Sequence, residues 1–251
     1  MSLKGKVALI TGATGGIGSA ICERLAAAGV TVVVTYRSDP QGARGMLEHL
    51  PPSNTSTDHS SVALDLADKT SIAAAINHVR EQYGQLDILV NNAGMTRFVA
   101  HDDLDGLDDD LIDQIFQVNW RGAFAMIRAC HPLLKASGEG VVVNISSIAG
   151  RTGHGSNVAY CASKAAMDSM TRSLGRALAP EVRVVSVAPG LVEGKYSSQL
   201  DPEWNEAQRQ NTPLKRLATA ADVARAVCAV AGELTFSTGC IVPVDGGRPL
   251  T

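Results

Sequence analysis

Tyr160 and Lys164 stand four residues apart in the segment Tyr-Cys-Ala-Ser-Lys. If this segment is helical, the two side chains project from one face of the helix, one turn apart. An ammonium beside a phenol favours the phenolate, so a group with a pKa of about 10 in isolation could exchange a proton near neutral pH. The spacing predicts acid–base chemistry. Such a pair also arises by chance on surface helices, so the prediction depends on what the rest of the chain contains.

A glycine-rich turn at residues 11–18 follows the apolar run at 7–10 and precedes a segment with helical spacing of apolar residues. Strand, turn and helix in this order are typical of a dinucleotide-binding site. The glycines let the backbone approach a pyrophosphate, and the free amides at the helix start hold it. The glycines that match are Gly12, Gly16 and Gly18, although their spacing is not G-x-G-x-x-G. A tight turn without a ligand remains the alternative for this cluster alone.

Small polar residues and glycine follow two further apolar runs. Asn91, Asn92, Ala93 and Gly94 close the run at 86–90, and a pair of serines at 146–147 closes the run at 141–145. In an open parallel sheet, ligands bind beyond the carboxyl ends of the strands. Each strand end is weak evidence alone, because strands often end in such residues. Together with the glycine-rich turn they predict one shared crevice.

With these motifs, the chain resembles the short-chain dehydrogenase/reductase family, in its compact type without an added substrate domain. It is similar to the bacterial 3-oxoacyl-(acyl carrier protein) reductases of that family. The typical spacing of thirteen residues between the catalytic serine and tyrosine selects Ser147 rather than Ser146. The matching positions run nearly end to end: residues 11–18, Asp65, residues 91–94, Asn119, Ser147, Tyr160, Lys164, Pro189, Gly190 and residues 245–247.

The resemblance implies a catalytic set of four residues and a hydride transfer between nicotinamide and a ketone carbon. Tyr160 would donate the proton to the developing alkoxide. Lys164 would lower the pKa of that tyrosine and hydrogen-bond the nicotinamide ribose. Ser147 would orient the substrate oxygen, and Asn119 would support a water that connects the lysine to solvent.

The resemblance also implies a set of cofactor-binding residues along the crevice. Asp65 would face the adenine ring, and Val192 would offer main-chain contacts to the carboxamide of nicotinamide. Gly194 stands where the family commonly has threonine. The full set is Gly12, Thr14, Gly16, Ile17, Gly18, Arg37, Asp65, Leu66, Asn91, Ala93, Gly94, Tyr160, Lys164, Pro189, Gly190 and Val192.

The end of the second apolar run indicates which dinucleotide is bound. A cofactor without the 2′-phosphate is usually met there by an acidic residue that accepts hydrogen bonds from the ribose. Residues 35–38 contain no acid, and Arg37 is placed to pair with a phosphate. This predicts a preference for NADP(H). NAD(H) remains an alternative, because Gly15 stands where many family members carry a second basic residue.

Strand-like and helix-like runs alternate throughout the 251 residues without a linker. This alternation predicts a single α/β domain over residues 1–251, with a Rossmann-type doubly wound parallel sheet of about seven strands and helices on both faces. The polar segment 191–212, which contains Tyr196 and Trp204, is either a mobile lid or an ordinary solvated loop. Strands are expected near 6–11, 31–36, 61–65, 86–91, 140–146, 182–188 and 240–244, and helices near 16–28, 40–50, 69–83, 107–136, 158–179 and 219–231.

Composition argues against several other classes of protein. The net charge of −3 offers no electrostatic footprint for nucleic acid, and no apolar run reaches the roughly 20 residues of a membrane span. The N-terminal apolar stretch is too short for a signal peptide, and five scattered cysteines without C-x-x-C spacing are typical of a cytoplasmic protein with reduced thiols. No metal is expected, because the histidines lack ligand spacing and the acidic run at 102–110 fits a solvated helix start.

The leading functional prediction is NADPH-dependent reduction of a ketone to a secondary alcohol, with a 3-oxoacyl thioester of acyl carrier protein or coenzyme A as substrate. A dehydrogenase or reductase of a cyclic alcohol, sugar or steroid is the first alternative. A non-catalytic dinucleotide-binding sensor is the second, and the intact catalytic set argues against it. Because compact members of this family commonly form tetramers, a homotetramer acting on a small carbonyl or alcohol is expected.

Overall fold

Seven strands in the described part of the chain form one parallel sheet with the order β3-β2-β1-β4-β5-β6-β7. The computed structural model describes residues 2–53, 57–194, 197–199 and 201–250. From β1 the chain builds outward to β3 and then returns to place β4 on the other side of β1, so the order reverses between β1 and β4. The strands are β1 (Val7–Ile10), β2 (Thr31–Tyr36), β3 (Ser60–Ala63), β4 (Ile88–Asn91), β5 (Gly140–Ile145), β6 (Val182–Pro189) and β7 (Ile241–Val244).

Helices cover both faces of this sheet, which confirms the predicted Rossmann-type architecture. Ala8 and Ile10 of β1 pack into one core with α1, α2 and α9, while Val7 and Leu9 pack into the other with α3, α5 and α7. Successive strand residues point to opposite faces, so a strand buried on both sides needs a continuous apolar run. The helices are α1 (Gly16–Ala27), α2 (Pro40–His49), α3 (Lys69–Tyr83), α4 (Asp109–Phe116), α5 (Ala123–Ala136), α6 (Ala149–Thr152), α7 (Val158–Ala177), α8 (Pro202–Asn211) and α9 (Ala220–Gly232).

The single helix expected over 107–136 is divided in the structure. Its first part, α4, begins where Asp108 accepts a hydrogen bond from the Leu111 amide at 2.8 Å, and two further acids occupy the first turn. The last three acids of the run at 102–110 therefore form a helix start, as expected from the charge preference of helix N-termini. A π-helical turn, Gln117–Gly122, then separates α4 from α5 and contains Asn119. Such turns are frequent at functional sites.

The segment 191–212 contains a helix, α8, that is not among the predicted elements. Asp201 accepts a hydrogen bond from the Trp204 amide at 2.9 Å and Pro202 occupies the first turn, which is a favourable start for α8. Arg248 lies 6.0 Å from the centroid of the Trp204 ring and hydrogen-bonds Gln208, so the C-terminal segment holds α8 in place. The loop prediction is wrong over 202–211. Tyr196 lies outside the described residues, and the lid role stays a prediction.

No helix in the described residues has the length and apolar character that crossing a membrane requires. Within the same ranges, no group of three or more histidine, cysteine, aspartate and glutamate side chains is gathered as a metal site.

Candidate active site

The turn that follows β1 is held in place from the neighbouring strand end. The Thr11 hydroxyl accepts hydrogen bonds from the Asn92 and Ala93 amides, each at 2.9 Å. The Asn92 side chain donates in return to the carbonyls of Thr11 and Gly12, both at 3.0 Å. Gly12 has a φ of +61°, and a Cβ there would lie 2.9 Å from the Ala93 Cα. This close approach therefore requires glycine.

Helix α1 begins at the carboxyl edge of the sheet with the features of an anion site. Gly15 caps it without a side-chain hydrogen bond, and its first turn contains no acid. A Cβ at Gly18 would lie 2.3 Å from the Gly12 carbonyl oxygen, whereas a Cβ at Gly16 would meet nothing within 4 Å. The first amides of the helix thus border open space at the positive end of the helix dipole. These residues fit the pyrophosphate of a dinucleotide.

The end of β2 is connected directly to this turn. The Thr35 hydroxyl donates to the Ile10 carbonyl at 2.9 Å and accepts from the Gly12 amide at 3.2 Å. Arg37 follows two residues later and is exposed at the same edge, while Thr14 is exposed on the turn itself. The guanidinium is therefore placed at the end of the crevice where an adenosine half would lie.

Asp65 and Leu66 follow β3, the next strand along this edge. The Asp65 carboxylate accepts a hydrogen bond from the Ala67 amide at 2.8 Å, which fixes the turn after the strand. Leu66 is buried, and a Cβ at Gly122 would lie 2.7 Å from the Leu66 Cβ. The two residues thus connect the adenosine end of the crevice with the π-helical turn.

Tyr160 and Lys164 share one face of α7, as their spacing predicts. Asn157 caps this helix by accepting a hydrogen bond from the Tyr160 amide at 2.7 Å. The Lys164 Nζ lies 5.7 Å from the centroid of the Tyr160 ring and donates to the Ile145 carbonyl at 2.8 Å. The lysine is only 4% exposed. Burial lowers the pKa of Lys164 to about 8, while the charge of Asp168 acts in the opposite direction.

Asn119 converges on the same place from the π-helical turn. Its side chain accepts from the Met95 amide at 2.8 Å and donates to the Met95 carbonyl at 3.0 Å and to the Ser163 hydroxyl at 3.1 Å. A Cβ on Gly94 would lie 3.4 Å from the Asn119 Oδ1 and 3.7 Å from the Lys164 Nζ. The structure therefore brings three of the expected site residues together around the backbone that follows β4.

Ser147 lies where β5 ends and α6 begins. Its hydroxyl accepts a hydrogen bond from the Ala149 amide at 3.2 Å. A Cβ at Gly150 would lie 2.7 Å from the backbone of α7, so the two helices touch closely here. A Cβ at Gly155 would lie 3.1 Å from the Ala149 Cβ and 3.2 Å from the Tyr160 Cδ1. The turn that begins at Ser147 thus packs beside the tyrosine ring.

The end of β6 lies opposite this turn. The Pro189 carbonyl accepts a hydrogen bond from the Ile148 amide at 3.0 Å, and a Cβ at Gly190 would lie 3.2 Å from the Asp245 Cα. Val192 forms a parallel bridge with Ala218. The segment expected to contact nicotinamide is therefore held between β5, β7 and the start of α9.

One charged residue near Lys164, Asp168, is not among the site residues predicted from the sequence. Asp168 lies one turn further along α7 and is buried, with 5% of its surface exposed. Asp168 follows Lys164 by four residues, as Lys164 follows Tyr160, so the sequence already indicated that all three share one helix face. Burial raises the pKa of the Asp168 carboxyl, while the Ser146 and Ser186 hydroxyls and nearby cations oppose that rise.

Comparison with known proteins agrees with this geometry. A family model described as enoyl-(acyl carrier protein) reductase matches residues 12–248. A solved structure from Brucella melitensis, titled short-chain dehydrogenase/reductase and glucose/ribitol dehydrogenase, superimposes with a TM-score of 0.90 at 29% identity, with 98% of each chain covered. The chain belongs to the short-chain dehydrogenase/reductase family.

Curated members of the family are similar over nearly their whole length. The 3-oxoacyl-[acyl-carrier-protein] reductases of Aquifex aeolicus and Vibrio harveyi are 35% and 34% identical over 249 residues, which cover 98% of this chain and 98% of each relative. A Streptomyces violaceoruber protein named as a ketoacyl reductase of the granaticin polyketide synthase is 37% identical over 246 residues, with 97% and 96% covered. This short-chain dehydrogenase/reductase is therefore an oxidoreductase.

Gly16→Val tests whether the open space at the start of α1 holds the dinucleotide. A Cβ at this position meets no protein atom within 4 Å, so we expect the melting temperature of the free protein to change little. We expect the Kd for NADPH, measured by its fluorescence, to rise about tenfold or more, because the side chain occupies the place of the pyrophosphate. Gly45→Val on α2, where a Cβ also meets nothing, is the matched control. An unchanged Kd in the Gly16 variant would place the dinucleotide elsewhere.

Proposed function

We propose that this enzyme reduces a ketone to a secondary alcohol with NADPH, and that a 3-oxoacyl thioester is its substrate. The observation that carries the proposal is the buried Lys164 ammonium 5.7 Å from the Tyr160 ring, at the edge of the sheet where the glycine-rich turn also lies. A phenol held beside a desolvated cation is suited to give up a proton where an alkoxide develops. NADPH, when bound, supplies the hydride.

Each member of the catalytic set has a role that its position supports. Tyr160 donates its proton to the substrate oxygen, and the Lys164 ammonium stabilises the phenolate that remains. Ser147, on the turn beside the tyrosine ring, hydrogen-bonds the substrate oxygen and orients it. Asn119 fixes the Met95 backbone beside the lysine and supports a water that returns the proton from solvent.

The substrate class is supported by the relatives and by the presence of the full catalytic set. Relatives named as 3-oxoacyl and ketoacyl reductases match nearly the whole chain at 34–37% identity. A cyclic alcohol or sugar is the second candidate, because the similar structure from Brucella melitensis is titled glucose/ribitol dehydrogenase. Action as one domain over residues 1–251, a homotetrameric state and a cytoplasmic location remain predictions for this chain.

The NADPH preference is supported by Arg37. Its guanidinium is exposed directly after β2, at the edge of the sheet where the Thr35 hydroxyl connects that strand to the glycine-rich turn. Guanidinium groups bind phosphate through paired hydrogen bonds, and no acid stands at 35–38 to accept from a free ribose hydroxyl. A 2′-phosphate is thus favoured over a 2′-hydroxyl at this position.

Tyr160→Phe tests the proposed reaction when acetoacetyl thioesters are assayed by NADPH absorbance. We expect turnover to fall by about 10²- to 10⁴-fold, because the proton donor is lost, while the Kd for NADPH stays near that of the parent enzyme. Tyr83→Phe is the matched control, since that hydroxyl donates to Asp58 and Ser60 near the β3 edge of the sheet. Near-normal turnover in the Tyr160 variant would refute the assigned role.

A panel of carbonyl compounds in the same assay decides between the two substrate classes. Higher kcat/KM with thioesters of acyl carrier protein or coenzyme A than with free cyclic ketones supports the proposal. Preference for cyclic ketones, sugars or their alcohols would replace it with the second candidate.

Arg37→Asp tests the cofactor preference. We expect the ratio of kcat/KM for NADPH to that for NADH to fall about tenfold or more, because a carboxylate repels the 2′-phosphate and accepts from a ribose hydroxyl. Arg80→Asp makes the same charge change in the last turn of α3 and should leave the ratio unaltered. Equal efficiency with both cofactors in the parent enzyme would contradict the preference.

A further inference from the structure

Two of the buried charged residues lie one turn apart on α7. In the described part of the chain, the aspartate, glutamate, lysine and arginine residues that are buried are Asp87, Lys164 and Asp168. Asp87 pairs with Lys6 at 3.1 Å beside β1, away from the catalytic set. Lys164 and Asp168 carry opposite charges, are 4% and 5% exposed, and stand at helix positions i and i+4. Side chains at this spacing are neighbours on one face.

One oxygen of the buried Asp168 carboxyl lacks a hydrogen-bond donor in the described residues. Its Oδ1 is fully buried, and no hydrogen-bond donor reaches it among the residues described. Hydrogen bonding by the Ser146 and Ser186 hydroxyls lowers the pKa of the carboxyl, as do the charges of Arg172 and Lys164. A buried carboxylate with an unsatisfied oxygen is costly unless a nearby cation compensates for it.

Lys164, in turn, needs a nearby negative charge in order to stay protonated. Its ammonium donates to a backbone carbonyl, and burial favours the neutral amine. The charge of Asp168 is the influence that keeps its pKa from falling further. A neutral amine at 164 could not stabilise a phenolate at Tyr160. The proposed reaction therefore depends on a negative charge near the lysine.

We propose that Asp168 is a positioning residue whose carboxylate is the buried counter-ion of Lys164 and keeps it an ammonium for the chemistry at Tyr160. The inference deepens the proposed function and rests on it. No other carboxylate belongs to the groups that face this pair in the described residues. Those groups are Tyr160 and Arg172 from α7, Asn119 from the π-helical turn, Ile145 and Ser146 at the end of β5, and Ser186 from β6.

Asp168→Asn tests the counter-ion through the pH dependence of kcat/KM for NADPH, which reports titration of the free enzyme. Loss of the negative charge lowers the pKa of Lys164 further, so the alkaline fall in activity should begin at lower pH. For a displacement of about one pH unit, the parent-to-variant ratio is close to one at about pH 6 and about tenfold at about pH 9. A ratio that is the same at every pH would overturn the proposal.

Thr171→Val is the matched control for this profile. Thr171 is buried on the same helix and bonds the side chains of Asn144 and Ser186, both at 2.8 Å, but it carries no charge. The Thr171→Val change should alter kcat/KM for NADPH by the same factor at all pH values. Asp168→Leu removes the charge without leaving a buried polar group, and it should displace the profile as Asp168→Asn does. A displacement in only one of the two variants would assign the effect to hydrogen bonding and refute the counter-ion.

A stability measurement tests the pair without any turnover. At neutral pH, Asp168→Asn should lower the melting temperature of the parent protein, because it leaves the lysine buried alone. In a Lys164→Met background the same change should raise the melting temperature, because it removes an uncompensated carboxylate. Equal shifts in both backgrounds would overturn the pairing. If the melting temperature shifts in opposite directions but the protein does not reduce ketones, the pairing of Asp168 with Lys164 is supported and the proposed function is refuted.

Discussion

The burial of one ammonium group constrains the whole active site. Lys164 donates to the carbonyl of Ile145, so α7 must lie across the carboxyl end of β5. The helical repeat then places the Tyr160 ring one turn earlier, above the same strand end. A buried amine is easily neutralised, and this makes the lysine sensitive to every charge around it. The placement that the proposed chemistry requires therefore also leaves the charge of Lys164 easily lost.

Glycines are as important to the candidate site as the residues that carry functional side chains. Gly150 lets α6 touch α7, and Gly94 leaves room between the Asn119 amide and the lysine. Gly12 allows two strand ends to meet at the turn that opens α1. Interiors are packed densely, and a methyl group at Gly12 or Gly150 would lie within 3.0 Å of backbone atoms, so it would displace backbone rather than fill a void. The crevice therefore depends on close contact between elements that are distant in sequence.

Much of this arrangement could be predicted from the sequence, for identifiable reasons. Strands buried on both faces need continuous apolar runs, and the glycine turn before α1 is recognised by its position between a strand and a helix. The π-helical turn could not be predicted, because it depends on the bonds that Asn119 makes to Met95 and Ser163. Helix α8 lacks a strong apolar face and is held partly through Arg248, so the local signal for it was confined to its start at Asp201 and Pro202.

The titration of the Lys164 amine tests the central claim most directly. In the free protein, the ¹³Cε resonance of this lysine can be assigned by its disappearance in Lys164→Met and then followed with pH. We expect a midpoint at a pKa of about 8, well below the ordinary lysine value of 10.5, because the ammonium is desolvated. A midpoint near 10.5 would show a solvated amine and would contradict the buried cation on which the proposed chemistry depends.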